Sequence, residues 1–194
     1  MLRRLLGRLR TETSPTPPEQ ACADADPAVR LAAVRRLSDL GRLLQLRRDD
    51  TDDRVREAAA ERLRMLFIGG DGSLTMAQRL AGLQACTDAT LLAHVARRAR
   101  EAELRLVAVR GVSGERLLAE VAVEDTNIRV RLAALERITS PERLAELEPL
   151  LRQSDERLAR LARYRHDSLV RACRREPGLS GKVEEATARR RIAG

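Results

Sequence analysis

Among 194 residues there is no tryptophan, one tyrosine (Tyr164) and one phenylalanine (Phe67). A core must therefore come from Leu, Val, Ile and Ala, which fits slender helices packed closely side by side. The 43% of apolar residues is enough for one domain with a sizeable core. Strand-forming runs are scarce outside the helical pattern, so no sheet is expected. Cysteine is sparse and odd in number. Cys22, Cys86 and Cys173 lie far apart, which excludes a disulfide framework or a metal-type spacing and suits a reducing cytosol. No apolar run approaches the roughly 20 residues that a membrane span needs. Residues 1–10, with Arg3, Arg4, Arg8 and Arg10 among leucines, are basic and amphipathic but lack the apolar middle of a secretory signal.

What is present is a repeated phrase: cap, two residues, apolar, Arg, two residues, small, three residues, apolar. It occurs six times, mostly 26 residues apart. The caps are Asp26, Asp52, Thr75, Glu101, Asn127 and Asp155. The first apolar column is Val29, Val55, Gln78, Leu104, Val130 and Leu158. Arg30, Arg56, Arg79, Arg105 and Arg131 follow, with Ala159 in the sixth copy. The small column is Ala33, Ala59, Gly82, Ala108, Ala134 and Ala162, and the closing column is Leu37, Leu63, Cys86, Val112, Ile138 and His166. Self-similarity at this period predicts an all-α chain, an α-α superhelix of about six stacked helical repeats over residues 18–176. A basic helix and Pro-rich linker precede it in 1–17, and a basic tail follows in 177–194.

One repeat shows the construction. The spacing predicts a first helix over 115–124, with Leu117, Leu118 and Val121 on one side, then a turn capped by Asn127, then a second helix over 128–138. Val130, Ala134 and Ile138 share a face of that second helix, with the small residue in the middle, where a neighbouring helix can approach. Leu43, Leu92, Leu118 and Leu144 form the matching column of the first helices. Between Phe67 and Ser73 the spacing shortens to 23 around Gly69-Gly70-Asp71-Gly72. This reads as a helix stop and turn replacing one first helix, rather than a glycine cradle for phosphate.

The segments Asp26-Pro27-Ala28-Val29-Arg30-Leu31-Ala32-Ala33, Asp52 to Ala59 and Asn127 to Ala134 resemble the HEAT-repeat family in its short bacterial variety. The likeness covers about Asp24 to His166. It implies a scaffold or adaptor whose Val-Arg helices line a concave side, with the motif arginines and turn aspartates bonded between repeats as a ladder. On that footing Arg30, Arg56, Arg79, Arg105 and Arg131 are structural. The sixth copy departs from the pattern: Arg is replaced by Ala159, and Arg160 and Arg163 stand where earlier copies mostly have Leu or Val. A polar terminal repeat keeps a solenoid soluble, which accounts for the change.

The net charge of +8 is unevenly spread. Residues 1–10 carry four Arg and no acid, residues 11–156 carry 22 basic against 25 acidic side chains, and residues 157–194 carry 11 against four. Six positions past the first apolar column, at sites expected to face solvent, stand Arg35, Glu61, Gln84, Arg110, Glu136 and Tyr164. Their alternating sign suits a protein partner on the concave face better than a phosphate backbone. The alternative is a nucleic-acid adaptor using the basic end, with Arg157, Arg160, Arg163, Arg165, Arg171, Arg174 and Arg175 as phosphate-binding residues. One aromatic, Tyr164, is thin for base stacking there.

No catalytic or metal-binding constellation is legible. His94 aligns with Glu120 and Glu146 as a surface residue, and His166 is expected to end a helix. Gly178 to Val183 is close to the end of a P-loop, but Glu176 and Val183 break the motif. Adjacent carboxylates such as Asp49-Asp50 and Asp52-Asp53 fall in turns, where capping explains them. HEAT-like alkylpurine DNA glycosylases would want aromatics around a catalytic carboxylate in a basic cleft, which this chain lacks, and nothing points to the chromophore pocket of HEAT-like bilin lyases. The expectation is a non-enzymatic, cytoplasmic scaffold that needs no cofactor, metal or small-molecule ligand.

Overall fold

The structure is a computed structural model and describes residues 17–70 and 72–175. Among these there are eleven α-helices and no strand. The basic segment 1–10, most of the linker, and the tail with Lys182 and Arg189 to Arg191 lie outside the described residues. The packing divides into two compact units, with the boundary between Leu66 and Phe67.

The first unit contains α1 (Pro18–Ala21), α2 (Pro27–Val34), α3 (Leu40–Asp49) and most of α4 (Asp53–Phe67). Its core joins Val34, Leu37, Leu43, Val55, Ala59 and Leu63, all without solvent exposure. The second unit contains α5 (Met76–Gln84), α6 (Ala89–Arg98), α7 (Ala102–Gly111), α8 (Glu115–Glu124), α9 (Ile128–Arg137), α10 (Pro141–Ser154) and α11 (Glu156–Arg175). There α6 packs on α7, α8 on α9 and α10 on α11 as hairpins. The second helices α5, α7 and α9 pack side by side in one layer, and α6, α8 and α10 pack in the other.

Most helix starts have a side-chain cap, whereas the expected cap Glu101 of α7 and Gly114 of α8 make no capping bond. The side chains of Asp26, Asp39, Thr75, Asp88, Asn127 and Ser140 accept the backbone N–H of Ala28, Arg42, Gln78, Leu91, Arg129 and Arg143, pairing donors that the first turn leaves free. Thr75 and Gln78 form a reciprocal capping box. Pro27 and Pro141 occupy first-turn positions where no N–H is required. No helix lies between α4 and α5, so the glycine segment does replace one first helix, and the boundary between the two units falls at that point. Gly69 follows the end of α4 at φ +81°, a conformation that suits glycine. A Cβ there would also lie 2.7 Å from Arg79 Nη1, so the turn folds tightly over that guanidinium.

The repeat phrase sits on α2, α4, α5, α7, α9 and α11, one copy each. Ala59, Ala108, Ala134 and Ala162 are fully buried and Ala33 nearly so, whereas Gly82 is only half-buried. Leu43, Leu92, Leu118 and Leu144 are buried on the first helices, and Cys86 is buried in the closing column. Two members of the first apolar column depart from expectation. Val29 is 38% exposed, since among the described residues only the single turn of α1 precedes α2. Gln78 is exposed, its side chain committed to capping α5. His166 does not end a helix: α11 continues to Arg175. His94 is half-buried rather than a surface residue.

Substituting Ala108→Leu or Ala134→Leu inserts three heavy atoms where no free surface remains. Each is expected to cost about 1–3 kcal/mol in urea unfolding, while Ala81→Leu, exposed on α5, leaves the midpoint nearly unchanged.

Candidate functional site

The arginine that follows the first apolar column points along the turn toward the next repeat. Arg30 Nε and Nη2 donate to Asp50 Oδ2 and Oδ1 at 2.9 and 2.8 Å, and its Nη1 donates to the carbonyls of Asp24 and Ala25. Arg105 repeats this arrangement on Asp125 at 2.7 and 2.9 Å, with Nη1 on the carbonyls of Ala99 and Arg100. In both rungs the acid is not the helix cap but the residue two before it. Asp50 also accepts the N–H of Asp52, and Asp125 that of Asn127. The same carboxylate therefore shapes the turn and fixes the preceding repeat's arginine.

Where that position is not acidic, the rung changes. Ala99 precedes the cap Glu101, so Arg79 takes the cap itself, through Nη2 to Oε1 at 3.1 Å. That single contact leaves Arg79 Nε and Glu101 Oε2 buried without hydrogen-bond partners. Arg131 donates to the Ala122 carbonyl and to Ser154 Oγ. Arg56 donates to the Asp50 carbonyl and pairs with Asp53. All five motif arginines are thus engaged within the fold.

A second set of arginines, not legible in the sequence, works at the opposite end of the second helices. Arg62, Arg137 and Arg165 stand one residue before the closing column. Each donates to the carbonyl of the closing residue one repeat earlier: Leu37, Val112 and Ile138. Their spacing of 25 to 27 residues is the only sequence signal. At Gly111 the column holds no side chain, and a Cβ there would displace the end of Leu92, whose Cδ1 lies 2.7 Å away. Glu115 makes a further cross-repeat tie. Its Oε1 accepts the N–H and hydroxyl of Thr139 and the N–H of Ser140.

The expected partner-binding residues Arg35, Glu61, Gln84, Arg110 and Glu136 are all exposed. In the second unit, Gln84, Arg110 and Glu136 occupy equivalent places on α5, α7 and α9, which pack consecutively and so set them in one row. Arg35, Gln84, Arg110 and Glu136 make no side-chain hydrogen bond with another described residue, whereas Glu61 is held by Arg64 at 2.7 Å. In the first unit, Arg35 caps the C-terminus of α2 and Glu61 lies on α4. The expected phosphate-binding residues divide. Arg157, Arg160, Arg163, Arg171 and Arg174 are exposed on α11, Arg175 closes that helix, and Arg165 turns inward to Ile138.

Three carboxylates in these contacts, Asp50, Glu101 and Glu115, lie below their ordinary range. Asp50 is lowered, first by the hydrogen bond from Arg30, with burial opposing. For Glu115, burial works to raise the carboxyl, but the bonds from Thr139 and Ser140 prevail and lower it. Arg105 is raised by its bond to Asp125. Burial pushes the Cys22 thiol up. Among the described residues no three His, Cys, Asp or Glu side chains gather as a metal-binding group. No helix among them is long and apolar enough to cross a membrane.

These features define an all-α helical-repeat protein cross-linked by arginine. No protein-family model matches the chain, and no curated protein or solved structure matches it either.

Two outcomes follow. Arg105→Ala leaves the Asp125 carboxylate buried without its charge partner and is expected to lower stability by about 1–3 kcal/mol in chemical unfolding. Because Asp50 and Glu115 titrate below their ordinary values when folded, their contribution is complete above the usual carboxylate range of about 4 and is lost as pH falls through it. The urea midpoint should therefore drop between pH 5 and pH 3, and Asp50→Asn should flatten that dependence.

Proposed function

We propose that the chain is a HEAT-like, non-enzymatic scaffold of a bacterial cytoplasm that holds a protein partner against the exposed row of its second helices. One observation carries this reading. Equivalent positions on successive packed helices present Gln84, Arg110 and Glu136, exposed and free of side-chain hydrogen bonds, while the motif arginines beside them are taken up by the fold. Repeating a helix at fixed spacing sets side chains at fixed spacing, and neighbours of opposite sign favour a protein surface of complementary pattern over a uniform polyanion. Arg35 and Glu61 continue the same motif position in the first unit.

The double variant Arg110→Glu with Glu136→Arg keeps the net charge and inverts the pattern. Affinity capture from the native organism's lysate should lose its specific protein bands by at least tenfold, while circular dichroism and the thermal midpoint stay unchanged. Equal capture by the inverted variant would remove this face from the proposal.

A further inference from the structure

Beyond the row just described, α11 presents a second surface of different chemistry. It is the longest helix, 20 residues, with Leu158, Ala159 and Ala162 as its buried anchors against the rest of the unit. Arg157, Arg160, Tyr164, Asp167, Arg171 and Arg174 recur at steps of three, four or seven residues, so they lie along one stripe. All six are exposed, and Tyr164 is 66% exposed, unusual for the chain's single tyrosine. At 1.5 Å per residue the stripe runs for about 25 Å.

Within the stripe Asp167 alone offsets this charge, lying close enough to Arg171 for the two to interact. Arg157 and Arg174 make no side-chain hydrogen bond with another described residue. Arg160 and Arg171 reach only their own helix, at 3.4 Å to the Glu156 carbonyl and 3.3 Å to Ser168 Oγ. The acids of the adjoining α10 are already engaged: Glu146 with Arg143, Glu148 with Arg152 and Glu142 with Ser140. Asp167, the single acid on the stripe, is held by His166 at 3.0 Å. A row of exposed guanidinium groups around an exposed ring has the chemistry of a phosphate backbone site with one base-stacking position.

We infer that the exposed face of α11 binds single-stranded nucleic acid, with the backbone running along Arg157, Arg160, Arg171 and Arg174 and one base stacked on Tyr164. A flexible strand can follow a straight helix turn by turn, about 5.4 Å at a time. A duplex is stiff on this scale and meets a convex helix over only a few phosphates. Arg165 takes no part, since it serves the fold.

The test uses the full chain and a fluorescein-labelled 20-nucleotide oligouridylate, read by anisotropy across a salt series. With about four phosphate contacts, log K should fall against log salt with a slope of about −3. The exposed-site variant Arg157→Gln, Arg160→Gln, Arg171→Gln, Arg174→Gln should bind at least a hundredfold more weakly and with a slope shallower by about 3. Tyr164→Ala should weaken binding about tenfold with the slope unchanged, and Arg129→Gln, exposed on α9, should change nothing. Unaltered affinity in the quadruple variant overturns the assignment. So does a duplex of equal length bound as tightly as the single strand, with no loss in Tyr164→Ala, or capture by phosphatidylglycerol vesicles without capture of the oligonucleotide.

Discussion

The second helices can lie against their neighbours because a small residue, alanine on all of them but α5, occupies the middle of the packed face. Ala59, Ala108, Ala134 and Ala162 expose no surface, and around the first three the larger apolar residues four positions to either side close in. A chain with almost no aromatic volume needs this arrangement, since small side chains at the crossings bring leucine and valine from facing helices into contact. The arginine ties depend on it in turn. Arg30 can reach Asp50, and Arg105 can reach Asp125, only if the next turn is held one helix width away.

Those ties do two jobs at once. Asp50 and Asp125 each satisfy a turn N–H and a guanidinium, so a single residue type two places before the cap links the shape of one repeat to the position of the last. The arginines at the other end, Arg62, Arg137 and Arg165, satisfy helix-end carbonyls that intrahelical bonds leave open. With both ends of the second helices pinned, the surface left for recognition is what lies between: the mixed row on α5, α7 and α9, and the basic stripe on α11. An arginine-rich composition is thereby divided between holding the stack and presenting charge.

Much of this fold was legible in the chain. The repeat phrase located six second helices, the caps Asp26, Thr75 and Asn127 were readable as capping residues, and the short spacing after Phe67 marked the lost first helix. The partners were harder, because they are chosen across 20 to 27 residues by the packing of the repeats. Nothing local distinguishes Asp50, which meets Arg30, from Asp49, which meets Arg48. The inward turn of Arg165 and the outward turn of Arg163 are two residues apart in one basic run, separated only by helical phase. Val29 conformed to its column, yet its burial depends on how much helix precedes it. The exposed row was predictable because solvent-facing phase repeats with the motif, and the continuation of α11 past His166 lies beyond the end of the repeat phrase.

The most direct measurement is thiol modification at the helix crossings. In a chain carrying Cys173→Ser, Ala134→Cys places a thiol at a fully buried crossing and Glu136→Cys places one two residues away in solvent. The close-packed account predicts that the thiol at position 136 reacts with an aromatic disulfide reagent at the rate of a free thiol. The thiol at position 134 should react only as fast as the chain unfolds, with urea accelerating it along the unfolding curve. Comparable rates at the two positions under native conditions would contradict it.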